Sequence, residues 1–334
     1  MRGNKLLLIA VATLVVMCLI SFQAPVKFAL AADKPAAELT AGGGAKGGVG
    51  FVVLEALSKL VKKDYPNLNI NVVEGGWVGN LAKVDKGEMN LASTTVAMCA
   101  LAADQKPPFT TPLPNVQAVY TTQDKLYYFA LVRKDLPLNA VSDLVKKKPA
   151  IKLQTIKKGT ATELTWRYIF ESLGAKWEDL PSWGASITFI DWKEAVEKVK
   201  SGELDGLLVV GVKKIDWADE VCKALDMKIL KWDKDLIDLT QQKLGFGKGV
   251  IPMGTYRGTN YDVIAPTDTG EIIANANVAE DVIYAIVKTL GEKADEYSKM
   301  HPGLEDFKAE GMPNVRLSLH PGAARYYKEK GYIK

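Results

Sequence analysis

The sequence predicts a two-lobed α/β protein, and three observations carry that expectation. Strand and helix patterns alternate along the chain, and the order of elements over residues 37–93 recurs over 151–210. Two extended stretches, 127–132 and 262–266, stand where a chain would cross from one lobe to the other and return. The length agrees, since 334 residues exceed what one compact core normally spans. An apolar content of 48% and a charged content of 25% are ordinary globular values, and they exclude a disordered, collagen-like or many-pass membrane chain.

Residues 1–31 read as a secretory signal. Arg2 and Lys5 precede an apolar-rich run over 6–20, and Ala29-Leu30-Ala31 offers an A-x-A cleavage site. The run is short for a span, because about 20 residues are needed to cross a bilayer. Cys18 follows bulky Met17 and is read as part of the discarded segment rather than as a lipid-attachment site. Removing 1–31 leaves 40 basic residues against 39 acidic ones, a balance that gives nucleic-acid binding no support. The expected product is an exported, periplasmic protein cleaved after Ala31.

The first lobe opens with a strand at 38–41, a glycine-rich loop, and a helix over 49–62 with Val53, Leu57, Leu60 and Val61 at helical spacing. A strand at 68–74, a second helix and a strand at 89–93 complete the unit. The second unit repeats this order: strand 151–156, loop around Gly159, helix 162–173, strand 187–190, helix 192–200, strand 204–210. Val84-Asp85-Lys86-Gly87-Glu88-Met89-Asn90 parallels Val199-Lys200-Ser201-Gly202-Glu203-Leu204-Asp205, each a helix end with glycine just past it and then a buried strand. The tail predicts one helix over 278–298, with Asn277 and Glu280 at N-cap and N3 spacing, and a short amphipathic cap over 320–334. The expected division is a signal at 1–31, a first lobe at 32–131, a second lobe at 132–261, and a return to the first lobe at 262–334.

Alternating elements imply mostly parallel sheets, whose ligands sit beyond the carboxyl ends of the strands. Two lobes presenting those ends to each other make a cleft. Gly42-Gly43-Gly44-Ala45-Lys46-Gly47 formally fits a dinucleotide loop, with Glu74 at the end of the next strand. It also fits a tight strand-to-helix turn, or a loop whose exposed N–H groups and helix dipole hold a carboxylate. Lys158-Gly159-Thr160-Ala161-Thr162-Glu163 is the counterpart in the second lobe, and Thr160 and Glu163 have capping-box spacing. Lys46, Lys157, Lys158, Lys213 and Lys214 lie near the predicted strand ends. Trp77 could wall the cleft or pack between the lobes; Thr94 and Thr95 could donate to a ligand or cap the next helix.

Catalysis finds little support. His301 and His320 each precede Pro-Gly in turn-like settings, no G-x-S-x-G elbow occurs, and no histidine neighbours Cys99 or Cys222. Those two cysteines lack metal or redox spacing, which leaves a long-range disulfide or two buried thiols. No metal site and no cofactor are expected, and a binding protein accounts for these absences better than an enzyme.

The chain resembles the TAXI class of solute receptors, which serve TRAP (tripartite ATP-independent periplasmic) transporters. The residues that carry the resemblance are Gly42 through Gly48, Glu74-Gly75-Gly76 through Asn80-Leu81 with Gly87-Glu88, Ile251-Pro252-Met253-Gly254-Thr255-Tyr256-Arg257-Gly258, and His320-Pro321-Gly322-Ala323-Ala324-Arg325-Tyr326-Tyr327. The resemblance implies a type II periplasmic-binding fold that closes around one ligand, and delivery of that ligand to a membrane permease driven by an ion gradient. It also implies a small carboxylate ligand, a dicarboxylate or an amino-acid-like compound. By position, Lys46, Gly47, Gly48, Val49, Thr94, Thr95, Gly159, Thr160, Ala161, Thr162, Val210 and Gly211 match the family's ligand-lining segments, beside Trp77 and Lys158. Val49-Gly50-Phe51 and Val210-Gly211-Val212 depart from the family's hydrogen-bonding side chains, which favours a dianion held by amides and lysine over an amino acid. A sensor module presenting its closed form to a membrane kinase is the alternative partner.

Overall fold

The computed structural model describes residues 35–334 apart from Ala45 and Gly47. The signal-peptide reading of 1–31 lies outside the described residues, as does Gly47. No helix among the described residues is long and apolar enough to cross a membrane.

The first sheet begins with β1 (Ala37–Gly42), whose loop leads into α1 (Val49–Asp64). Helix α1 exists to cover that sheet: Val53, Leu54, Leu57, Leu60 and Val61 are fully buried along one side, and Lys62 and Lys63 close its carboxyl end where the dipole favours cations. Next come β2 (Leu68–Val73), α2 (Trp77–Asp85), β3 (Leu91–Thr95), α3 (Val96–Ala103) and β4 (Val116–Thr121). Strands β2 and β3 flank β1 in parallel, and a late strand, β12 (Gly270–Asn275), inserts antiparallel between β3 and β4.

The second sheet receives β5 (Leu126–Arg133), then β6 (Lys152–Thr155), β7 (Ser186–Phe189), β8 (Gly206–Gly211), β9 (Met227–Ile229), β10 (Gly247–Ile251) and β11 (Val263–Asp268). Its order is β7-β6-β8-β5-β11-β10, with β9 also paired to β5. Helices α4 (Asp143–Lys146), α5 (Ala161–Ser172), α6 (Trp192–Lys200), α7 (Asp216–Ala224) and α8 (Lys234–Leu244) complete this half. Both sheets therefore run second strand, first, third, and then a strand that crosses from the other half. This is the two-lobed type II arrangement.

The repeat is real down to its punctuation. Gly87 and Gly202 both adopt left-handed backbone, φ 75° and 80°, and their N–H groups donate to Val84 O and Val199 O at 3.0 and 3.1 Å. Only glycine adopts that conformation without steric cost.

The chain changes sheets at Thr122–Lys125 and at Thr269, not at 131/132 and 261/262 as expected. β5 pairs with β8 from Tyr127 to Val132, so it belongs wholly to the second sheet. A second correction concerns the tail. The helix expected over 278–298 divides into α9 (Glu280–Glu292) and α10 (Ala294–Ser298) at Lys293, which is drawn into an ion pair with Asp64. Ala279, not Asn277, sits at the N-cap, and the Asn277 amide donates to Asn275 Oδ1 instead. The last helix, α11 (Pro321–Glu329), packs on α9 so closely that a Cβ on Gly322 would stand 2.2 Å from the Glu280 carbonyl oxygen. Cys99 and Cys222 are both buried free thiols, and burial pushes both above the usual thiol range.

Candidate functional site

Between the two sheets lies a cavity of about 810 Å³. Its wall is assembled from strand ends and from the amino ends of helices of both halves. From the first half come Gly44, Gly48, Val49, Gly50 and the Gly75 to Gly79 segment with Trp77; from the second come Ile156, the Gly159 to Thr162 segment, Val210, Gly211, Val212 and Ile215. Trp192 and Trp217, the first residue of α6 and the second of α7, face the same space. Their rings stack with centroids 4.8 Å apart and planes inclined by 16°.

First-turn amides are the main polar resource here. Val49 and Gly50 open α1, Trp77 to Gly79 open α2, and Ala161 and Thr162 open α5, and all seven residues line the cavity. The first four N–H groups of a helix have no intrahelical acceptor, and the dipole adds partial positive charge at that end. The N-caps of α1 and α2 are glycines, and neither end has a side-chain cap bond among the described residues. Some neighbouring amides are already used. Gly159 N donates to Glu163 Oε2 at 2.9 Å, Lys46 N to Glu74 Oε1 at 3.3 Å, and Ile215 N to Tyr256 Oη at 2.9 Å.

Buried polar side chains hold these segments in place. Asn80, fully buried, sets its Nδ2 2.7–3.0 Å from the carbonyl oxygens of Gly42, Gly43 and Ser93, while its Oδ1 accepts from Gly76 N at 3.1 Å. One side chain thus ties the glycine loop, the end of β3 and the start of α2 together. Glu163, also fully buried, accepts from Arg167 Nη2 at 2.7 Å and from Trp177 Nε1 at 2.8 Å beneath the Gly159 loop. The capping expected of Thr160 is present, since its Oγ1 accepts from Glu163 N at 3.4 Å.

The structure brings Gly48, Val49, Trp77, Gly159, Thr160, Ala161, Thr162, Val210 and Gly211 to one wall. Thr94 and Thr95 are not part of it. Both are buried: Thr94 Oγ1 donates to Trp77 O at 2.7 Å, and Thr95 Oγ1 caps α3 by accepting from Met98 N at 3.4 Å. Nor do the lysines line the cavity. Lys46 is exposed, Lys158 rests over the Phe189 ring at 4.6 Å, and Lys214 pairs with Asp219 at 3.5 Å. A four-carbon stem places its charge where solvent or a local partner draws it, whatever the loop beneath faces. Sequence reading missed Trp192, Trp217, Ile215, Ile156 and Leu126. The available signal was that Asp191-Trp192 and Asp216-Trp217 both follow strand ends. Glu74, considered as a ribose-binding acid, instead anchors the glycine loop. Among the described residues no group of three or more His, Cys, Asp or Glu is placed to hold a metal ion.

Below the cleft, acids join the two crossing segments. Asp124 Oδ1 accepts from Gly270 N at 2.7 Å and from Thr269 Oγ1 at 3.0 Å, so one carboxylate spans both. Asp268 Oδ1 accepts from Ala97 N at 3.2 Å and Thr269 N at 2.9 Å; Glu271 accepts from Arg316 N and Leu317 N at 2.9 and 3.4 Å. Burial pushes Asp268 and Glu271 each up to about 7, because the Thr95 hydroxyl beside Asp268, the Cys99 thiol beside Glu271 and these amide bonds only partly offset desolvation of the charged form.

A description of the NMT1-like family matches residues 41–331. The chain belongs to the NMT1-like family. Among solved structures, this NMT1-like chain is similar to the periplasmic aliphatic sulphonate binding protein of Escherichia coli, at 16% identity over 87% of this chain and 78% of that one, TM-score 0.47. It is also similar to an ancestral arginine-binding protein, at 13% identity over 79% and 96%, TM-score 0.46. The substrate binding protein of an amino acid ABC transporter gives 13% over 79% and 97%, TM-score 0.42. These are distant likenesses, and the reading of the cleft rests on the residues of this chain.

Proposed function

We propose that this NMT1-like protein is an exported solute receptor whose cleft takes one small carboxylate and whose loaded form is handed to a membrane permease. The observation that carries the reading is the cavity between two sheets that the chain links by two crossing segments, walled by helix amino ends of which those of α1 and α2 carry no side-chain cap. Such ends are ready-made anion sites, each worth about 0.3–1 kcal/mol when exposed and up to about 2 kcal/mol when partly buried. Two crossing segments allow the halves to close on the solute and to reopen, which a receptor needs and a rigid pocket does not supply.

The described part of the wall carries no histidine, cysteine or carboxylate side chain. Binding without turnover is therefore the proposed activity. The pattern of residues 1–31 supports export, and the ordered TAXI-like segments support a TRAP permease as the recipient. The motif residues themselves act structurally: Tyr256 holds the start of α7, and Tyr326 and Tyr327 form the buried side of α11.

A thermal-shift screen of the purified protein against carboxylates and amino acids tests this reading. A ligand that binds only the folded state adds about 2.7 kcal/mol of stability at one hundred times its dissociation constant. The expected outcome is a raised midpoint with a carboxylate that is recovered unchanged; consumption of the compound, or no shift with any, would contradict the reading.

A further inference from the structure

We propose that two copies of this chain associate through the free edge of β10, joining their second sheets across a two-fold axis at Val250. Three observations point to it.

The first concerns the edge. Strand β10 ends its sheet: β11 pairs with one side of it, and no backbone hydrogen bond among the described residues reaches the other. An open edge presents alternate N–H and C=O groups to any further strand, and sheets commonly blunt such edges with charge, proline or a covering element. Here the five residues are Gly247-Lys248-Gly249-Val250-Ile251, with one lysine as the only charge.

The second concerns the face. Among the described residues the large apolar side chains left exposed are Val212, Val250, Met253 and Ile264. Val212 belongs to the cleft wall, and the other three lie on the β10–β11 ribbon or in the turn that follows β10. Val250 stands directly opposite Ile264, the two being 44% and 53% exposed, while Val263 and Ala265 on the other face are fully buried. A strand with one solvated face normally alternates apolar inside with polar outside. This ribbon is apolar on both faces, and grouped apolar exposure marks an interaction site.

The third is self-complementarity, which names the partner. Antiparallel pairing about Val250 sets that residue against its own copy, and sets Lys248 of one chain against Pro252 of the other. On the exposed face the joined sheet then reads Ile264, Val250, Val250, Ile264. Strands about 4.8 Å apart bring these side chains into one continuous apolar row. Beside Pro252 on the ribbon lies Asp262, whose Oδ1 accepts from Met253 N at 2.7 Å. Lys248 and Asp262 are both exposed. Lys248 of each copy therefore comes within two strand spacings of Asp262 of the other, about 10 Å between backbones and within reach of a lysine stem. Two symmetric ion pairs would flank the apolar row. Pro252 cannot donate to a ladder, so the pairing is short and the association weak and reversible. No residue of β10 or β11 lines the cleft, and pairing here leaves both cleft walls untouched.

Sedimentation velocity of the purified protein from micromolar to millimolar concentration tests this. A reversible monomer–dimer equilibrium is expected. Val250→Glu and Val250→Lys each set like charges against one another on the axis, and each variant alone should remain monomeric throughout. An equimolar mixture of the two should associate again, at least as strongly as the parent, because residue 250 then meets an opposite charge across the axis. Cooperative melting of both variants confirms that they are folded. A parent that stays monomeric over the whole range overturns the proposal and leaves the receptor reading untouched. Dimers that survive both substitutions, or folded variants that stay apart when mixed, overturn edge pairing at Val250.

Discussion

Replacing Asp268 by asparagine should make the protein relatively more stable in mild alkali than in mild acid, because this carboxyl is buried at the junction of the two sheets. Burial pushes it from the usual 3.8 up to about 7. At about 1.4 kcal/mol per tenfold change, holding it ionised in the fold costs on the order of 4 kcal/mol. The sign follows from proton counting. Between about pH 4 and 7 the native state keeps a proton that the unfolded chain has released, so stability falls as pH rises through that window. By about pH 5 roughly 1.6 kcal/mol of the loss has occurred, which leaves about 3 kcal/mol to be lost by pH 8. Asparagine has no such dependence. Its Oδ1 can keep the Ala97 and Thr269 amides, while its NH₂ inherits the position of Oδ2, which has no partner among the described residues. That orphan costs about 1–3 kcal/mol at every pH and cancels when two pH values are compared. Urea unfolding of parent and Asp268→Asn at about pH 5 and about pH 8 should therefore show their stability difference moving by about 3 kcal/mol in favour of the variant. Parallel pH profiles would refute the buried, uncompensated state of Asp268.

Asn80→Ala should lose about 1–3 kcal/mol, since three carbonyl oxygens and the Gly76 amide lose their shared partner, and should weaken solute binding as well; calorimetric melting and titration check both. Tyr256→Phe deletes the acceptor of the Ile215 amide, so it should lower stability by about 1 kcal/mol and loosen the start of α7, read as faster amide exchange near Trp217. Gly322→Ala forces a methyl against the Glu280 carbonyl and should destabilise by about 1–3 kcal/mol in thermal melts, without touching the cleft.

Much of the fold was legible because local signals and tertiary roles coincide there. The glycines at 87 and 202 end helices in both repeats and can do so only through their own backbone freedom. The α1 stripe from Val53 to Val61 announces its buried face by spacing alone. The crossing points were misplaced because a strand's sheet is decided by its partner, and nothing in Leu126–Arg133 itself names β8. The break at Lys293 was hidden for a similar reason: the helical pattern continues through it, and a pairing with distant Asp64 accompanies the break.

The cleft was legible where backbone makes it and illegible where side chains do. The two strand-to-helix loops were located by their glycines and the cap at Thr160. The lysines were misread because loop position says nothing about where a long side chain rests, and Lys158 rests on Phe189. Thr94 and Thr95 turn inward, onto Trp77 O and the α3 amides. Trp192 and Trp217 look in sequence like core residues of amphipathic helices, and only the folded chain stacks them at the cavity wall.

The most direct test of the receptor reading is equilibrium titration of the purified protein with its best-shifting carboxylate, followed by chemical analysis of what is released on denaturation. Saturable one-to-one binding, return of the compound unaltered, and loss of binding in a Trp192→Ala variant that still unfolds cooperatively are the predicted results. Absence of saturable binding, or recovery of a chemically changed compound, would contradict the central claim that this cleft carries a solute rather than transforms one.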